Sequence, residues 1–290
     1  IEVVPGDTNI VRGTSLIISA EFPDFKSDVK LVVQEPGRPK RWMTMNQSLD
    51  DPTYSYRLTN IQSNALYNVV YDGIESDLYR MMVFEYPNLK NSEAKLDYPD
   101  FTGKEDKTIK NTRRLTAVEG TGLTFDFEFN KPLKSAVLKA RDEDSDDILL
   151  KVLEGNDQQY QFLWGFNEPG EFRYELYLED QDGRVNQFPS QYVFNVMENL
   201  PPALKFKAPA GDTEVTAIEE MRIQGEARDD YGIEAFGVGY QLAGQQPKHI
   251  ALQSDGLITN KLDLSHIIRM EELEVEEGEV ISYFLWAEDR

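Results

Sequence analysis

Hydrophobic and polar residues alternate in short stretches along this chain, and one such stretch occurs three times. It reads YELYLED at Tyr174 to Asp180, YNVVYDG at Tyr67 to Gly73 and YFLWAED at Tyr283 to Asp289. Each copy alternates for about one strand length and then reaches an acidic residue, which is typical of a half-buried β-strand that runs out into a loop. The pattern predicts the same strand in three successive units.

A second repeated stretch gives the same spacing. GTSLIISAEF at Gly13 to Phe22 recurs as GTGLTFDFEF at Gly120 to Phe129, an offset of 107 residues, and Tyr67 and Tyr174 are separated by the same offset. In the first copy, alternation predicts a strand with Leu16, Ile18 and Ala20 on one face. A period of this length is the size of a β-sandwich, so the 290 residues are expected to form three units.

We therefore predict an all-β chain of three tandem immunoglobulin-like antiparallel β-sandwiches, with boundaries at residues 1–90, 91–198 and 199–290. Short strands with turn signals at regular intervals favour sandwiches over a barrel. The sequence NLPP at Asn199 to Pro202 marks the last joint, and its two prolines predict a stiff linker because they hold the chain extended. Serial units joined in this way are expected to form a rod.

Three local features complete this prediction. Arg290 falls where the first two units still have a final strand to come, so the third sandwich is expected to lack its last strand. Either the sequence is a piece of a longer chain, as Ile1 in place of a methionine also indicates, or a partner supplies the strand by β-augmentation. The acidic run at Arg141 to Asp147 predicts an exposed hairpin loop, and LSHIIRMEEL predicts one helical turn capped by Ser265.

Composition restricts the classes of partner. The formal charge of −22 repels phosphate backbones and anionic bilayers, so nucleic acid is not an expected partner. The absence of cysteine excludes disulfides, thiolate metal sites and cysteine nucleophiles. No run of about 20 apolar residues is present, so this segment is not expected to insert into a membrane.

Several motifs together resemble one protein family. They are VPGDTNIVRGTSL, SLDDPTYSYRL, VFEYPNL, LDYPDFTGKEDKTIKNTRRLTAVEGT, NKPLKSAVL, NLPPALKF and EARDDYGIEAFGVGYQL. They resemble the tandem immunoglobulin-like segment of large, membrane-anchored bacterial envelope proteins, a family of domains of unknown function. The resemblance covers essentially the whole chain and implies a periplasmic or cell-surface location within a larger anchored protein. It supplies no catalytic residues.

Acidic residues at the predicted joint between units two and three are the candidate metal ligands. In a sandwich, the loops after the second and sixth strands lie at the same end, which is also where the linker with Glu198 and Asn199 enters. Oxygen ligands without histidine or cysteine are typical of a calcium site. Solvated turns are the competing interpretation. Our candidate metal residues are Asp229, Asp230, Glu288 and Asp289, with Glu179, Asp180 and Asp182 as a weaker counterpart in unit two.

The remaining chemistry is sparse. The two histidines, His249 and His266, lie in no recognisable Ser-His-Asp pattern, and no phosphate-binding loop is present, so we predict no enzymatic activity. Six aromatic residues could build a sugar-stacking platform: Trp42, Trp164, Trp286, Tyr54, Tyr56 and Tyr160. We therefore expect a non-catalytic extracytoplasmic spacer or protein-interaction module that binds a protein or envelope component. A carbohydrate-binding module is the alternative, and the oligomeric state stays open.

Overall fold

A computed structural model describes residues 1–142, 145–252, 259–273, 275 and 278–289. The described chain consists of β-strands and two 3₁₀ helices of one turn each. It divides into two compact units, one formed by residues 1–88 with 179–187 and the other by residues 89–178 with the chain from 188 onward. The all-β prediction is confirmed.

The first sandwich is built from residues 2–84. Its strands, in chain order, are β1 (Glu2–Val4), β2 (Thr8–Val11), β3 (Leu16–Glu21), β4 (Lys30–Gln34), β5 (Arg41–Thr44), β6 (Asn46–Gln47), β7 (Thr53–Leu58), β8 (Ala65–Tyr71), β9 (Ile74–Glu75) and β10 (Tyr79–Phe84). One sheet has the order β1-β3-β7-β6 and the other β2-β10-β8-β4-β5, with β9 paired to β8. Ile18 and Ala20 are fully buried and Leu16 packs against the same core, as the alternation predicts.

The second sandwich, residues 89–197, repeats this plan. Its strands are β11 (Leu89–Asp97), β12 (Lys107–Lys110), β13 (Arg114–Val118), β14 (Gly122–Phe129), β15 (Leu133–Ala140), β16 (Ile148–Leu149), β17 (Lys151–Leu153), β18 (Asn156–Gly165), β19 (Gly170–Asp180) and β20 (Ser190–Met197), and the 3₁₀ turn η1 (Asp100–Thr102) follows β11. The sheets have the orders β12-β11-β14-β18-β17 and β13-β20-β19-β15-β16. Strands β15 and β16 form the predicted hairpin, although Glu143 and Asp144 in its loop lie outside the described residues.

Strand order in both sandwiches matches the immunoglobulin arrangement. In the first sandwich, β1, β3, β7 and β6 share one sheet, and the last strand, β10, pairs with β8 in the other. In the second, β11, β14, β18 and β17 share one sheet with β12, and the last strand, β20, pairs with β19 in the other. Strand β2 runs parallel to β10 and β13 runs parallel to β20, whereas β3, β7, β8, β11, β14 and β18 pair with their neighbours antiparallel. In each sandwich, a strand from the N-terminal part, β2 or β13, is thereby paired with the final strand, β10 or β20.

The third sandwich contains β21 (Ala203–Ala208), β22 (Glu220–Leu242), β23 (Lys248–Ala251), β24 (Thr259–Arg269) and β25 (Ile281–Asp289), with the 3₁₀ turn η2 (Met270–Glu272). Strand β22 has 23 residues and serves both layers. Its first part pairs with β21 and β24, and its second part pairs with β23 and β25. The register shifts between Arg228 and Ile233, where the strand bends from one layer into the other.

Within the described residues, the third sandwich has no counterpart of the final strand β20, as predicted. In the second sandwich, β20 pairs with β19 along one edge. Strand β25 occupies the position of β19, but among the described residues it pairs only with β22. The described core of the third sandwich is correspondingly smaller than that of the second.

The repeated tyrosines occupy equivalent strands. Tyr67 is completely buried on β8, Tyr174 is nearly so on β19, and Tyr283 is partly buried on β25. The Tyr67 hydroxyl donates to the carbonyl oxygen of Gly6 at 2.5 Å, and the Tyr283 hydroxyl donates to that of Gly211 at 3.0 Å. Both glycines lie in the turn that follows the first strand of their sandwich, so the repeat extends to tertiary contacts.

The predicted helical turn is misplaced. Ser265 lies within β24 and pairs with Gln224, so it does not cap a helix. Leu264, Ile268 and Met270 are buried at even-numbered spacings of four and two residues, which fits the two-residue period of a strand. The helical turn starts only at Met270.

Candidate functional site

The joint between the second and third sandwiches is the best-defined candidate site. Both sandwiches belong to the same compact unit, and residues 198–202 connect β20 to β21. Pro201 and Pro202 cannot donate backbone hydrogen bonds, so the linker depends on its other residues for polar contacts.

Asn199 makes these polar contacts in both directions. Its backbone N–H donates to Glu119 Oε1 of the second sandwich at 3.1 Å. Its side-chain Nδ2 donates to Asp289 Oδ2 of the third sandwich at 3.1 Å. One linker residue is thus hydrogen-bonded to carboxylates on both sandwiches.

Aromatic residues form a second contact at this joint. The ring of Phe101, in η1, packs edge-to-face against Tyr231 on β22 with centroids 5.6 Å apart. The Lys104 ammonium lies 5.0 Å from the centroid of the Tyr231 ring and 5.6 Å from that of Tyr98. Such aromatic and cation–π pairs each contribute about 0.5–1.5 kcal/mol beyond area burial.

The pKa of the Tyr231 hydroxyl is raised by its surroundings at the joint. Burial is the main cause that raises its pKa above the usual value, and the charges of Asp230 and Asp229 and the neighbouring Tyr98 act in the same direction. A phenol stays protonated when both burial and negative neighbours disfavour its anion. Tyr231 therefore acts as a neutral packing residue across the physiological pH range.

Asp229 has a local structural role at the bend of β22. Its Oδ1 accepts the backbone N–H groups of Tyr231 at 2.8 Å and Gly232 at 2.7 Å. Gly232 has a φ of 115°, a conformation that L side chains rarely adopt, so the bend needs both this glycine and an acceptor for its N–H. The other carboxylate oxygen, Oδ2, is buried without a hydrogen-bond partner.

The four predicted metal ligands do not all converge. Asp289 meets Asn199 at the joint, whereas Asp230 and Glu288 are exposed. Within the described residues, no group of three or more histidine, aspartate or glutamate side chains is arranged to hold a metal ion. Calcium binding stays a prediction, and the buried oxygens without donors, Asp229 Oδ2 and Asn199 Oδ1, are the features in its favour.

The counterpart in the second sandwich is a hairpin turn, as the QDG sequence predicts. Asp180 Oδ1 accepts the backbone N–H groups of Asp182 at 3.0 Å and Arg184 at 2.8 Å, and Gly183 has a φ of 78°. Asp180 is almost completely buried, and Arg184 pairs with its carboxylate at 3.6 Å. This carboxylate holds the turn in place.

The six candidate aromatic residues do not form one platform. Trp164 packs against Phe166, Phe172 and Phe194 at the core of the second sandwich. Tyr54 and Tyr160 are buried, Tyr56 is partly buried, and Trp42 is 55% exposed on β5. Trp286 covers Gly237, which leaves space for the indole because it has no Cβ.

The histidines also lie apart. His249, on β23, contacts the rings of Phe284 and Trp286, whereas His266, on β24, pairs with Ile223 in the other layer.

Sequence reasoning missed five residues of the joint. Asn199 and Asp289 were singled out, but Glu119, Tyr98, Phe101, Lys104 and Tyr231 were not. Three of them, Tyr98, Phe101 and Lys104, lie in the segment LDYPDFTGK, which starts at the end of β11 and precedes β12. Two aromatic residues and a lysine beside a turn are the sequence feature that could have identified a contact surface.

Comparisons with known proteins give only distant structural likeness. No family model and no curated protein matches the chain. A crystal structure of Dpr2 Ig1-Ig2 in complex with DIP-Theta Ig1-Ig3 has a TM-score of 0.36 at 9% identity and covers 97% of this chain and 92% of that one. Fibronectin(III)-like modules of Clostridium thermocellum CbhA have a TM-score of 0.26 at 16% identity, and the match covers 68% of this chain and 95% of that one.

A chimeric titin Z1Z2-Z1Z2 tandem gives a TM-score of 0.25 at 10% identity and covers 69% of this chain and 99% of that one. These scores are low. The fold assignment therefore depends on the strand order described above, and function has to be argued from the residues.

Proposed function

We propose that this chain is a non-catalytic, extracytoplasmic spacer or protein-interaction module within a larger anchored protein. The joint between the second and third sandwiches supports this role most directly. A linker residue bonded to both sandwiches and an aromatic contact beside it restrain their relative orientation, which is what a spacer requires.

The location and the anchor belong to the same proposal. They derive from the family that the chain resembles. The described residues contain no helix that is both long enough and apolar enough to span a bilayer. An acidic surface with a net charge of −22 would discourage association with nucleic acid and with anionic lipid, while leaving protein or envelope partners available.

Spin labels can measure the stiffness of the joint directly, because the chain has no cysteine and any introduced cysteine is therefore unique. One label would replace Gln191, exposed on the second sandwich, and the other would replace Glu234, exposed on the third. We expect a narrow distribution of label-to-label distances. The triple variant Phe101→Ala, Tyr231→Ala, Asn199→Ala should broaden it, because it removes the aromatic contact and the side-chain hydrogen bond from Asn199 to Asp289.

The matched control is Phe188→Ala, an exposed phenylalanine outside the joint, which should leave the distribution narrow. A broad distribution in the unmodified chain would contradict the spacer proposal. So would a triple variant that remains folded and as narrow as the parent.

Carbohydrate binding is the second candidate function. The aromatic residues do not support it, since only Trp42 among the six is exposed. A polar groove on the outer face of the second sandwich supports it instead.

A further inference from the structure

The outer face of the sheet β12-β11-β14-β18-β17 carries a groove of about 560 Å³. Lys110 and Asn111 line one side and Leu153 the other, while β11, β14 and β18 form the floor. This volume is within the range of about 300–1,000 Å³ that small-molecule sites occupy. Because Phe125, Phe127 and Phe129 of β14 face the core, the alternate residues of that strand face the groove.

Side chains on the floor form a hydrogen-bonded network. Asp126 Oδ2 accepts from Lys95 Nζ at 2.8 Å, and its Oδ1 accepts from Gln161 Nε2 at 2.6 Å. Asn91 Nδ2 donates to Glu128 Oε2 at 3.0 Å. Each group therefore has a defined direction before any ligand arrives, which lowers the entropy cost of binding.

The backbone of the floor is not available to a ligand. Strands β11, β14 and β18 each have a paired strand on both sides, so along the paired stretches their N–H and C=O groups are used within the sheet. A peptide cannot add to the floor as an extra strand, because β-augmentation requires a free edge. A ligand in this groove must therefore be recognised by the side chains that line it.

The chemistry of these side chains selects the class of ligand. Three carboxylates, from Glu93, Asp126 and Glu128, face two ammonium groups from Lys95 and Lys110, so the groove has little net charge. Carboxylates and primary amides present paired acceptors and donors in a plane, which suits neighbouring hydroxyl groups. An apolar ligand would strip water from these groups without offering them further hydrogen bonds, and a strongly charged one would meet groups of its own sign.

We propose that this groove binds a neutral oligosaccharide, whose hydroxyl groups accept hydrogen bonds from Lys95, Asn91 and Gln161 and donate to the Asp126 carboxylate. This inference deepens the second candidate function and does not depend on the spacer role. It places the site on a sheet face of the second sandwich, and neither Trp42 nor Trp286 lines it.

A binding assay with the full chain tests the proposal. The probes are neutral tetrasaccharides of glucose and of N-acetylglucosamine in α- and β-linked forms on a glycan array, followed by calorimetric titration of those that bind. We expect at least one to bind. Asp126→Ala should weaken that binding about tenfold or more, because a lost hydrogen bond to a charged group costs about 1.5–3 kcal/mol. Gln161→Ala should weaken it roughly two- to tenfold, because a hydrogen bond between neutral groups contributes about 0.5–1.5 kcal/mol.

The matched control is Glu175→Ala with Gln191→Ala, an amide–carboxylate pair at 3.5 Å on the opposite sheet, which should bind as the parent does. Circular dichroism of every variant checks that loss of binding is not loss of fold. The proposal is wrong if none of the neutral tetrasaccharides binds, or if a bound one is held equally well by folded Asp126→Ala and Gln161→Ala. It is also wrong if only anionic glycans bind. The spin-label result is independent of each of these outcomes.

Discussion

Glu226 is a carboxylate whose negative charge is stabilised by three basic side chains. It is buried on β22 and lies 3.1 Å from both Lys207 Nζ on β21 and Lys261 Nζ on β24, with Arg228 Nε also bonded to it. The hydrogen bonds from Arg228, Lys207 and Lys261 lower the pKa of Glu226 to about 2 from an ordinary 4.5. In the folded protein, Glu226 is therefore negatively charged at every pH well above about 2.

This shift predicts a dependence of stability on pH. Because the folded pKa is lower than the unfolded one, the contribution is fully present above pH 4.5 and is lost as the pH falls toward 2. We expect Glu226→Gln to unfold at a lower denaturant concentration than the parent at pH 7, with a difference that shrinks as the solution is acidified. A difference that is constant from pH 7 to pH 3 would contradict this account.

Gly237 is a residue whose lack of a side chain is required. A Cβ there would overlap the carbonyl oxygen of Ile250 and lie 2.8 Å from Trp286 Nε1. We expect Gly237→Ala to lower the free energy of unfolding by about 1–3 kcal/mol, because the indole or β23 must move. Gly211→Ala is the control, since Gly211 has no heavy atom near its Cβ position and should be neutral or slightly stabilising in the same denaturation experiment.

At the scale of elements, strand β22 ties the two layers of the third sandwich together. Its bend depends on Asp229, which accepts two backbone N–H groups. We expect Asp229→Ala, measured in EDTA so that no divalent cation contributes, to cost about 0.5–2 kcal/mol, as loss of a capping acceptor does.

Asp230→Ala is the matched comparison for that variant. Its carboxylate is exposed, and the residue's contact with Asn260 uses the backbone oxygen, which the substitution retains. Surface changes of this kind stay within about 0.5 kcal/mol. Equal costs for the two variants in EDTA would show that the bend does not depend on the Asp229 carboxylate.

At the scale of the whole molecule, the calcium prediction remains to be tested. We expect millimolar calcium, the range in which extracellular modules bind the ion, to raise the melting temperature by several degrees relative to sodium chloride at matched ionic strength. Asp289→Asn and Asn199→Ala should abolish the rise, since both residues lie at the joint. If calcium leaves the melting temperature of the parent unchanged, the calcium hypothesis is removed.

The sequence predicted the strands well where burial follows a simple period. Phe125, Phe127 and Phe129 are buried at alternate positions of β14, and Gly183 lies in the predicted turn. Prediction failed at Ser265, because a polar residue before an apolar pair fits a helix start as well as a strand with one exposed position. It also gave Asp229 only a ligand role, whereas one of its oxygens serves the bend of its own strand.

The sequence by itself determined the class of fold and the threefold repeat, because alternation and repeat spacing are written in the chain, and its two prolines predict a stiff final joint. Only the tertiary structure decided which residues meet at that joint. Asn199 bonds to residues 80 and 90 positions away, Glu119 and Asp289. Contacts over such separations depend on strand order and on the packing of whole sheets, which no local pattern specifies.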